Sequence, residues 1–381
     1  MDQLNRPRVL VLVTDHPGGG RKESHRFVHV RDLYYQEHGI DVTVLNFSGQ
    51  KDYIYEGIRV ICMETYRREP DGYDVLIAHQ PNIRDHYRFL KRYGHRFPRS
   101  LLFFHGHEIR RFREAYPKPY PYMGASWVKT TARDLYDRSK IAIWRRYIPK
   151  LLGKTELVFV SQSMLEEFLH FTRLSREALE GRYHIIHNCV GRLFEEGRYD
   201  PKGEKDYDMV TIRSDLDSAT YCIDVVDRLA KAAPELRFLV VGKGKYFQHN
   251  GKAPNITWED RTLDHGQIIS VLQRSRCALM PTRVDSQGLM TCEMATFGMP
   301  VITSDIPVCH EVLGSFENVA LIGNDATDVD LPQVLEVLEK KLPGKKNDRY
   351  FSRNTTAREV DLIFAAVGAA RQDRIEAGGS R

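Results

Sequence analysis

No apolar run in the 381 residues approaches the roughly 20 that a membrane-spanning helix needs, so the chain is not expected to cross a bilayer on its own. Cysteine is scarce and lacks metal-binding spacing. The six residues at 62, 189, 222, 277, 292 and 309 are scattered, several in apolar runs such as Ile61-Cys-Met63, and read as reduced core thiols. A one-sided charge is missing as well. With 56 basic and 51 acidic residues the net charge is +5, too modest for a nucleic-acid footprint, and no nucleic-acid partner is expected. No internal repeat or low-complexity segment is present, and no Gly-x-x-x-x-Gly-Lys-Ser/Thr supports a P-loop. The N-terminus holds only the short run Val9-Leu-Val-Leu-Val13 before a loop, which suits a buried first strand better than a signal peptide; a cytoplasmic location is expected.

What is present is a soluble, globular composition, 42% hydrophobic and 28% charged, long enough for two domains with their own cores. Short apolar runs alternate with helix-compatible stretches: Val9–Val13, Asp41–Leu45, Ile58–Cys62, Val75–Ala78, Leu101–Phe104, Leu157–Val160 and His184–Ile186. That rhythm predicts a parallel sheet with crossover helices. After a polar stretch rich in Gly, Lys and Glu, the alternation restarts at Met209–Ile212. It continues through Phe238–Val241, Ile256–Trp258, Ala278–Met280, Val301–Thr303 and Val319–Ile322, with helix patterns at Ala219–Ala233 and Leu263–Arg274. The expected domains are 1–195, 196–346 and a last helical stretch within 347–381.

The most informative stretch runs from Pro281 to Asp305 and reads as loop, glycine turn, helix and strand. Asp285 precedes Gly288, while Glu293 falls inside the following helix, a spacing that can set both carboxylates beside one crevice. The N–H groups near Gly288, Leu289 and Met290 would form a helix N-terminus, which attracts anions through unpaired donors and the helix dipole. A phosphate flanked by hydroxyls fits such a site. A second glycine turn, Gly18-Gly19-Gly20, follows the first strand; glycine there permits positive φ and close backbone approach to a ligand, and a plain surface turn is the alternative. At the end of the 101–104 strand, His105 and His107 are spaced to share one side, but no further converging ligands are legible, so no metal is expected there.

These residues resemble the GT-B glycosyltransferases of family 4, whose signature is two acids with seven residues between them, within Pro-Ser-x-x-Glu-x-x-Gly-x-x-x-x-Glu-Ala-x-x-x-Gly-x-Pro-Val. Pro281, Asp285, Gly288, Glu293, Gly298 and Pro300 fall in register, with Asp285 in place of the first Glu. The resemblance implies an α/β, GT-B fold: two Rossmann-like domains facing each other across a cleft, the N-terminal one taking the acceptor, the C-terminal one the nucleotide sugar. A terminal helix would return to the first domain. The implied reaction is transfer of a sugar from a nucleoside-diphosphate donor, a UDP-sugar first among them, to a hydroxyl acceptor with retention of configuration and without a metal or cofactor.

By the same resemblance Glu293 would bind ribose, Asp285 and the amides after Gly288 the sugar and β-phosphate, and Gly18, Gly19 and Gly20 would face the diphosphate. Arg213 would stabilise leaving-group charge and His105 contact the transferred sugar. Ser218 stands where a lysine is usual, leaving Lys243, Lys245 and Arg283 as candidates to replace its charge. Two other readings stay open: a binding protein without catalysis, and a nucleotide-sugar epimerase. The two Asp-x-Asp pairs, Asp215/Asp217 and Asp328/Asp330, are expected by chance in so acidic a chain and imply no metal.

Residues 110–154 carry twelve Lys/Arg against three Asp/Glu, interleaved with Tyr and Trp. This segment either forms a solvated helical face or rests peripherally on the anionic inner face of a membrane. In the second case the acceptor is lipid-linked, as in envelope polysaccharide assembly; glycan and small-molecule acceptors are the alternatives.

Overall fold

In the computed structural model, the described residues are 6–18, 25–124, 127–342 and 345–378; Gly19 and Gly20 lie outside them. By its contacts the chain divides into two compact units, one of Met1–Arg110, Asp137–Cys189 and Phe351–Arg381, the other of Arg111–Tyr136 and Val190–Tyr350. The junctions at 189/190 and 350/351 fall together because, in the second unit, the Val190 N–H donates to the Tyr350 carbonyl at 3.1 Å. Residues 111–136, early in sequence, belong to the second unit. There Tyr120 and Tyr122 stack at 5.8 Å between centroids and donate their hydroxyls to Asp224 and Asp217, both at 2.7 Å.

The first unit is built on β1 (Arg8–Val13), β2 (Asp41–Asn46), β3 (Tyr53–Tyr55), β4 (Ile58–Ile61), β5 (Val75–His79), β6 (Arg99–Phe104), β7 (Thr155–Phe159) and β8 (Tyr183–Ile185). Their order is β3-β4-β2-β1-β5-β6-β7-β8, parallel throughout except for the β3/β4 hairpin. Strand alternation splits β1 between two cores: Leu10 and Leu12 pack with Trp144 and Phe104 on one face, Val9, Val11 and Val13 with Val360 and Ile363 on the other. Each such side chain, fully buried, contributes roughly 1.5–3 kcal/mol. The helix Arg26–Glu37 follows β1, and the C-terminal helix Thr356–Gly378 covers the second face. Buried Arg31 pairs with buried Glu359 at 3.0 Å and donates to Asn188 at 2.6 Å, while the Tyr35 hydroxyl donates to Glu359.

The second unit comprises β9 (Tyr207–Asp215), β10 (Phe238–Lys243), β11 (Ile256–Glu259), β12 (Ser275–Leu279), β13 (Val301–Ser304) and β14 (Val319–Ile322). The order β11-β10-β9-β12-β13-β14 is wholly parallel, the doubly wound arrangement in which strand direction of travel reverses between the two central strands. Val210 and Ile212 face one core, Met209 the other. The helix pattern predicted over Ala219–Ala233 is in fact a 3₁₀ turn, Ala219–Tyr221, and a helix, Ile223–Ala232, separated at Cys222 by a left-handed φ of 53°.

All six cysteines are free and buried. Among the described residues no helix is long and apolar enough to cross a membrane.

Candidate functional site

In doubly wound sheets ligands bind beyond the carboxyl ends of the strands, at the point where the strand order reverses. In the second unit that point lies between β9 and β12. From the end of β9, the buried Arg213 donates through Nη2 to the Met280 and Pro281 carbonyls, at 3.0 and 2.8 Å, and so spans the reversal. Its guanidinium lies over the Tyr221 ring at 4.9 Å, and its Nε is buried with no partner among the described residues. Burial lowers its pKa, and the Asp285 charge opposes that shift; an arginine remains cationic all the same.

The loop after β12 leads to the helix Leu289–Phe297, with Gly288 at its N-cap. Glycine is required there: φ is +68°, and a Cβ would sit 3.2 Å from an Asp285 oxygen. The first helical N–H with a backbone acceptor is that of Cys292, bonded to the Gly288 carbonyl at 3.0 Å. For the N–H groups of Leu289, Met290 and Thr291 no acceptor is found among the described residues, as the start of a helix dictates. Glu293 is buried one turn further on. The arrangement therefore offers a cation and three N–H donors without an acceptor among the described residues at one reversal point, a set suited to a phosphate.

In the first unit the corresponding reversal lies between β1 and β5. Gly18 has φ +86°, and a Cβ would approach Tyr55 and Tyr53 at 2.8 and 2.9 Å, so the hairpin packing alone demands glycine. His105, just past β6, is 3.3 Å from His79 through Nε2 and Nδ1, and its ring lies 4.8 Å from that of Phe27. Burial drives both histidines well below the usual imidazole range. The turn itself is held by Glu108, whose carboxylate accepts the His105 N–H at 2.9 Å and the Gly106 N–H at 2.5 Å.

Comparison with known proteins adds to this geometry. No curated protein matches the chain. Among solved structures, sucrose-phosphate synthase (tll1590) from Thermosynechococcus elongatus is similar over 99% of this chain and 100% of its own, at 13% identity and a TM-score of 0.64. WaaG, described as a glycosyltransferase involved in lipopolysaccharide biosynthesis, is similar over 96% and 94%, at 14% identity and a TM-score of 0.54. The E. coli structure described as trehalose-6-phosphate bound with UDP-2-fluoro glucose covers 97% and 98%, at 11% identity and a TM-score of 0.53. The fold is GT-B. Residues 211–337 match the sequence profile described as Glycosyl transferases group 1, and by that match this GT-B chain is a transferase.

The GT-B chain uses several expected residues differently from the sequence expectation. Arg283 is committed to Asp224 by two bonds, at 3.0 and 2.6 Å, and to the Ala219 carbonyl at 2.7 Å, so its charge is already neutralised. Lys243 is exposed at the end of β10, and Lys245, also exposed, gives its backbone N–H to Asp217 at 2.8 Å. Asp285 turns its Oδ1 back on its own loop, accepting from the Ser286, Gln287 and Gly288 N–H groups at 2.7, 3.3 and 2.7 Å. The Gly288 amide, expected to face phosphate, is thereby occupied.

The basic 110–154 segment is divided as well. Trp144 is fully buried, and the Lys140 ammonium is enclosed by the His107 and Arg110 carbonyls and Asp137. Trp127, Leu135 and Tyr136, in the helix Trp127–Leu151, are exposed. The sequence reading missed Asp224 as the partner of Arg283, and it missed His16, His29 and Asp32, three buried polar residues around the β1 turn. Their signal was the pair His29/Asp32 three apart on a helix, which is meaningful only once His16 is folded beside it.

Proposed function

We propose that the protein is a retaining glycosyltransferase of family 4 type that moves a sugar from a UDP-sugar to a hydroxyl acceptor. The observation that carries this reading is the conjunction, at the β9/β12 reversal, of buried Arg213 with the unspent N–H groups of Leu289, Met290 and Thr291. The diphosphate would lie on those amides, with Arg213 meeting the charge that grows as the sugar–phosphate bond breaks. Glu293 would accept the ribose hydroxyls. Asp285 would act chiefly by fixing the turn that aims the amides, because its Oδ1 is spent on three backbone N–H groups. Lys243, exposed on the neighbouring strand end, would supply the charge that Ser218 does not.

In the first unit, neutral His105 would accept or donate one hydrogen bond to the transferred sugar without adding charge. No step in this scheme needs a metal. The exposed Trp127, Leu135 and Tyr136 favour a lipid-linked acceptor at an anionic membrane surface, with envelope polysaccharide assembly as the setting.

The test is calorimetric titration with UDP and with a panel of UDP-sugars, followed by donor consumption with and without added acceptors. Binding of UDP with acceptor-dependent turnover is expected, with the product anomer matching that of the donor. Turnover without acceptor would make the protein an epimerase, and binding without any turnover would make it a binding protein.

A further inference from the structure

His16 sits in the turn after β1. His29 and Asp32 lie one turn apart on the same face of the 26–37 helix. All three are buried, and one ligating atom from each lies within 4.8 Å of the others. The hydrogen bonds around them fix which atoms carry protons. His16 Nδ1 is 3.0 Å from the Pro17 carbonyl, which can only accept, so the proton is on Nδ1 and Nε2 is a lone pair. His29 Nε2 is 3.0 Å from the Glu56 carboxylate, so its proton is on Nε2 and Nδ1 is a lone pair.

Among the described residues these two lone pairs and both oxygens of Asp32 are buried without a hydrogen-bond partner. The described residues thus gather four acceptor atoms and no donor in this pocket. His16 Nε2 and an Asp32 oxygen are 3.8 Å apart, too long for a hydrogen bond. A single water has two hydrogens for these four acceptors. A cation satisfies all of them.

We propose that His16, His29 and Asp32 bind a divalent transition-metal ion, Zn²⁺ by preference, at the turn after β1. Two imidazoles and one carboxylate are a borderline donor set that suits zinc or its first-row neighbours and not Mg²⁺ or Ca²⁺, which take oxygen. Zinc bonds of about 2.0–2.2 Å need only small side-chain adjustments from these separations. The surroundings match those of ligating histidines, which hand their second N–H to a carbonyl or carboxylate: Pro17 for His16 and Glu56 for His29. The Tyr55 ring lies edge-on to both imidazoles, at 6.0 and 4.8 Å, and shields the pocket. Such an ion would tie the β1 turn to the 26–37 helix and, through Glu56, to the β3/β4 hairpin. This inference does not depend on the proposed transfer reaction.

The test uses the full chain, stripped of metal by a chelator and then titrated with Zn²⁺, with metal content read by mass spectrometry and unfolding followed thermally. Co²⁺ is titrated in parallel for its ligand-field spectrum. One equivalent of Zn²⁺ and a raised Tm are expected, as for any ligand selective for the folded state. His29→Gln and Asp32→Asn should each weaken binding at least tenfold, and Glu56→Gln, a half-exposed position outside the ligand set, about tenfold. No bound metal and an unchanged Tm in the wild type would overturn the proposal. So would variants that keep the same stoichiometry and affinity, since the ion would then sit on other histidines. If the ligand variants do not fold, as judged by circular dichroism, Glu56→Gln decides: affinity equal to wild type overturns the site.

Discussion

The two sheets share one strand order around their reversal points, yet the groups gathered there have opposite electrostatic character. In the second unit the point is marked by a buried guanidinium and the start of a helix. In the first, the β5 and β6 side carries imidazoles that burial keeps uncharged, His79 and His105 driven well below the usual range and His86 down to about 3, while the β1 turn carries the separate His16, His29 and Asp32 cluster. Topology supplies the same crevice twice, and the ionisation of a few side chains decides which one suits a diphosphate. The neutral crevice is suited to hydroxyls instead.

The strongest test of this contrast is Glu293→Ala in the second unit against His105→Ala in the first. If Glu293 holds the ribose as proposed, removing the carboxylate would leave the ribose hydroxyls unpaired, and UDP affinity measured by calorimetry should fall by about 100-fold or more in a variant that still folds. His105→Ala should leave UDP affinity within about threefold and lower turnover instead. Equal losses of affinity would break the comparison.

Arg213→Ala should lower turnover by about two orders of magnitude, as expected for loss of a charge partner in the transition state. Arg283→Ala should cost less than about tenfold, because that guanidinium is already paired with Asp224. Reversed magnitudes in steady-state kinetics would move the phosphate away from Arg213.

The neutral crevice has a pH signature. His86 is held as the neutral ring, its Nε2–H facing the Leu12 carbonyl at 3.4 Å and its Nδ1 accepting from the Asn82 N–H at 3.3 Å. Its folded pKa, about 3, lies below the unfolded value near 6.5, so between these the unfolded chain binds the extra proton. Stability is therefore intact above pH 6.5 and lost as pH falls, by roughly 2 kcal/mol between pH 6.5 and 5 from this residue. Urea unfolding at the two pH values should show the loss, and His86→Gln should remove that share of it.

A smaller effect than that of Arg213→Ala is expected at Asp285. Lengthening it to Glu displaces the oxygen that caps three N–H groups, at about 0.5–2 kcal/mol of local stability, and kcat/KM should drop about tenfold. Asp285→Asn keeps an acceptor oxygen and should stay within about threefold. A gain of activity on Asp285→Glu would show that the family's longer acid reaches the sugar here as well.

The sheets were legible because their strands are near-continuous apolar runs; Val319–Ile322 agrees to the residue. Strand β3 was not, since Tyr53-Ile-Tyr55 is three residues long and only partly buried. Gly288 and Glu293 could be singled out because a glycine turn and a helix after a buried strand leave a spaced pattern, whereas Arg213 was singled out only by the resemblance to family 4. What could not be read was the destination of charge. Nothing in the sequence ties Arg283 to Asp224, 59 positions earlier, or turns the Asp285 carboxylate inward. Likewise His16 and His29 stand 13 positions apart, and only the packing of a strand-end turn on a helix brings their lone pairs to one carboxylate.

The Arg31–Glu359 pair also sets an order of events during synthesis. Residues 1–110 leave the ribosome first, but the partner of the fully buried Arg31 is 328 positions downstream. At roughly 5–20 residues per second, the first sheet waits for tens of seconds with one face uncovered, while the whole second unit can emerge and fold. A nascent chain arrested before residue 359 would leave the Arg31 guanidinium to water without its partner; in the completed unit, where it is buried, loss of Glu359 alone would cost about 3–5 kcal/mol. The first unit to be translated is thus the last to be finished, and it is the one expected to need a chaperone.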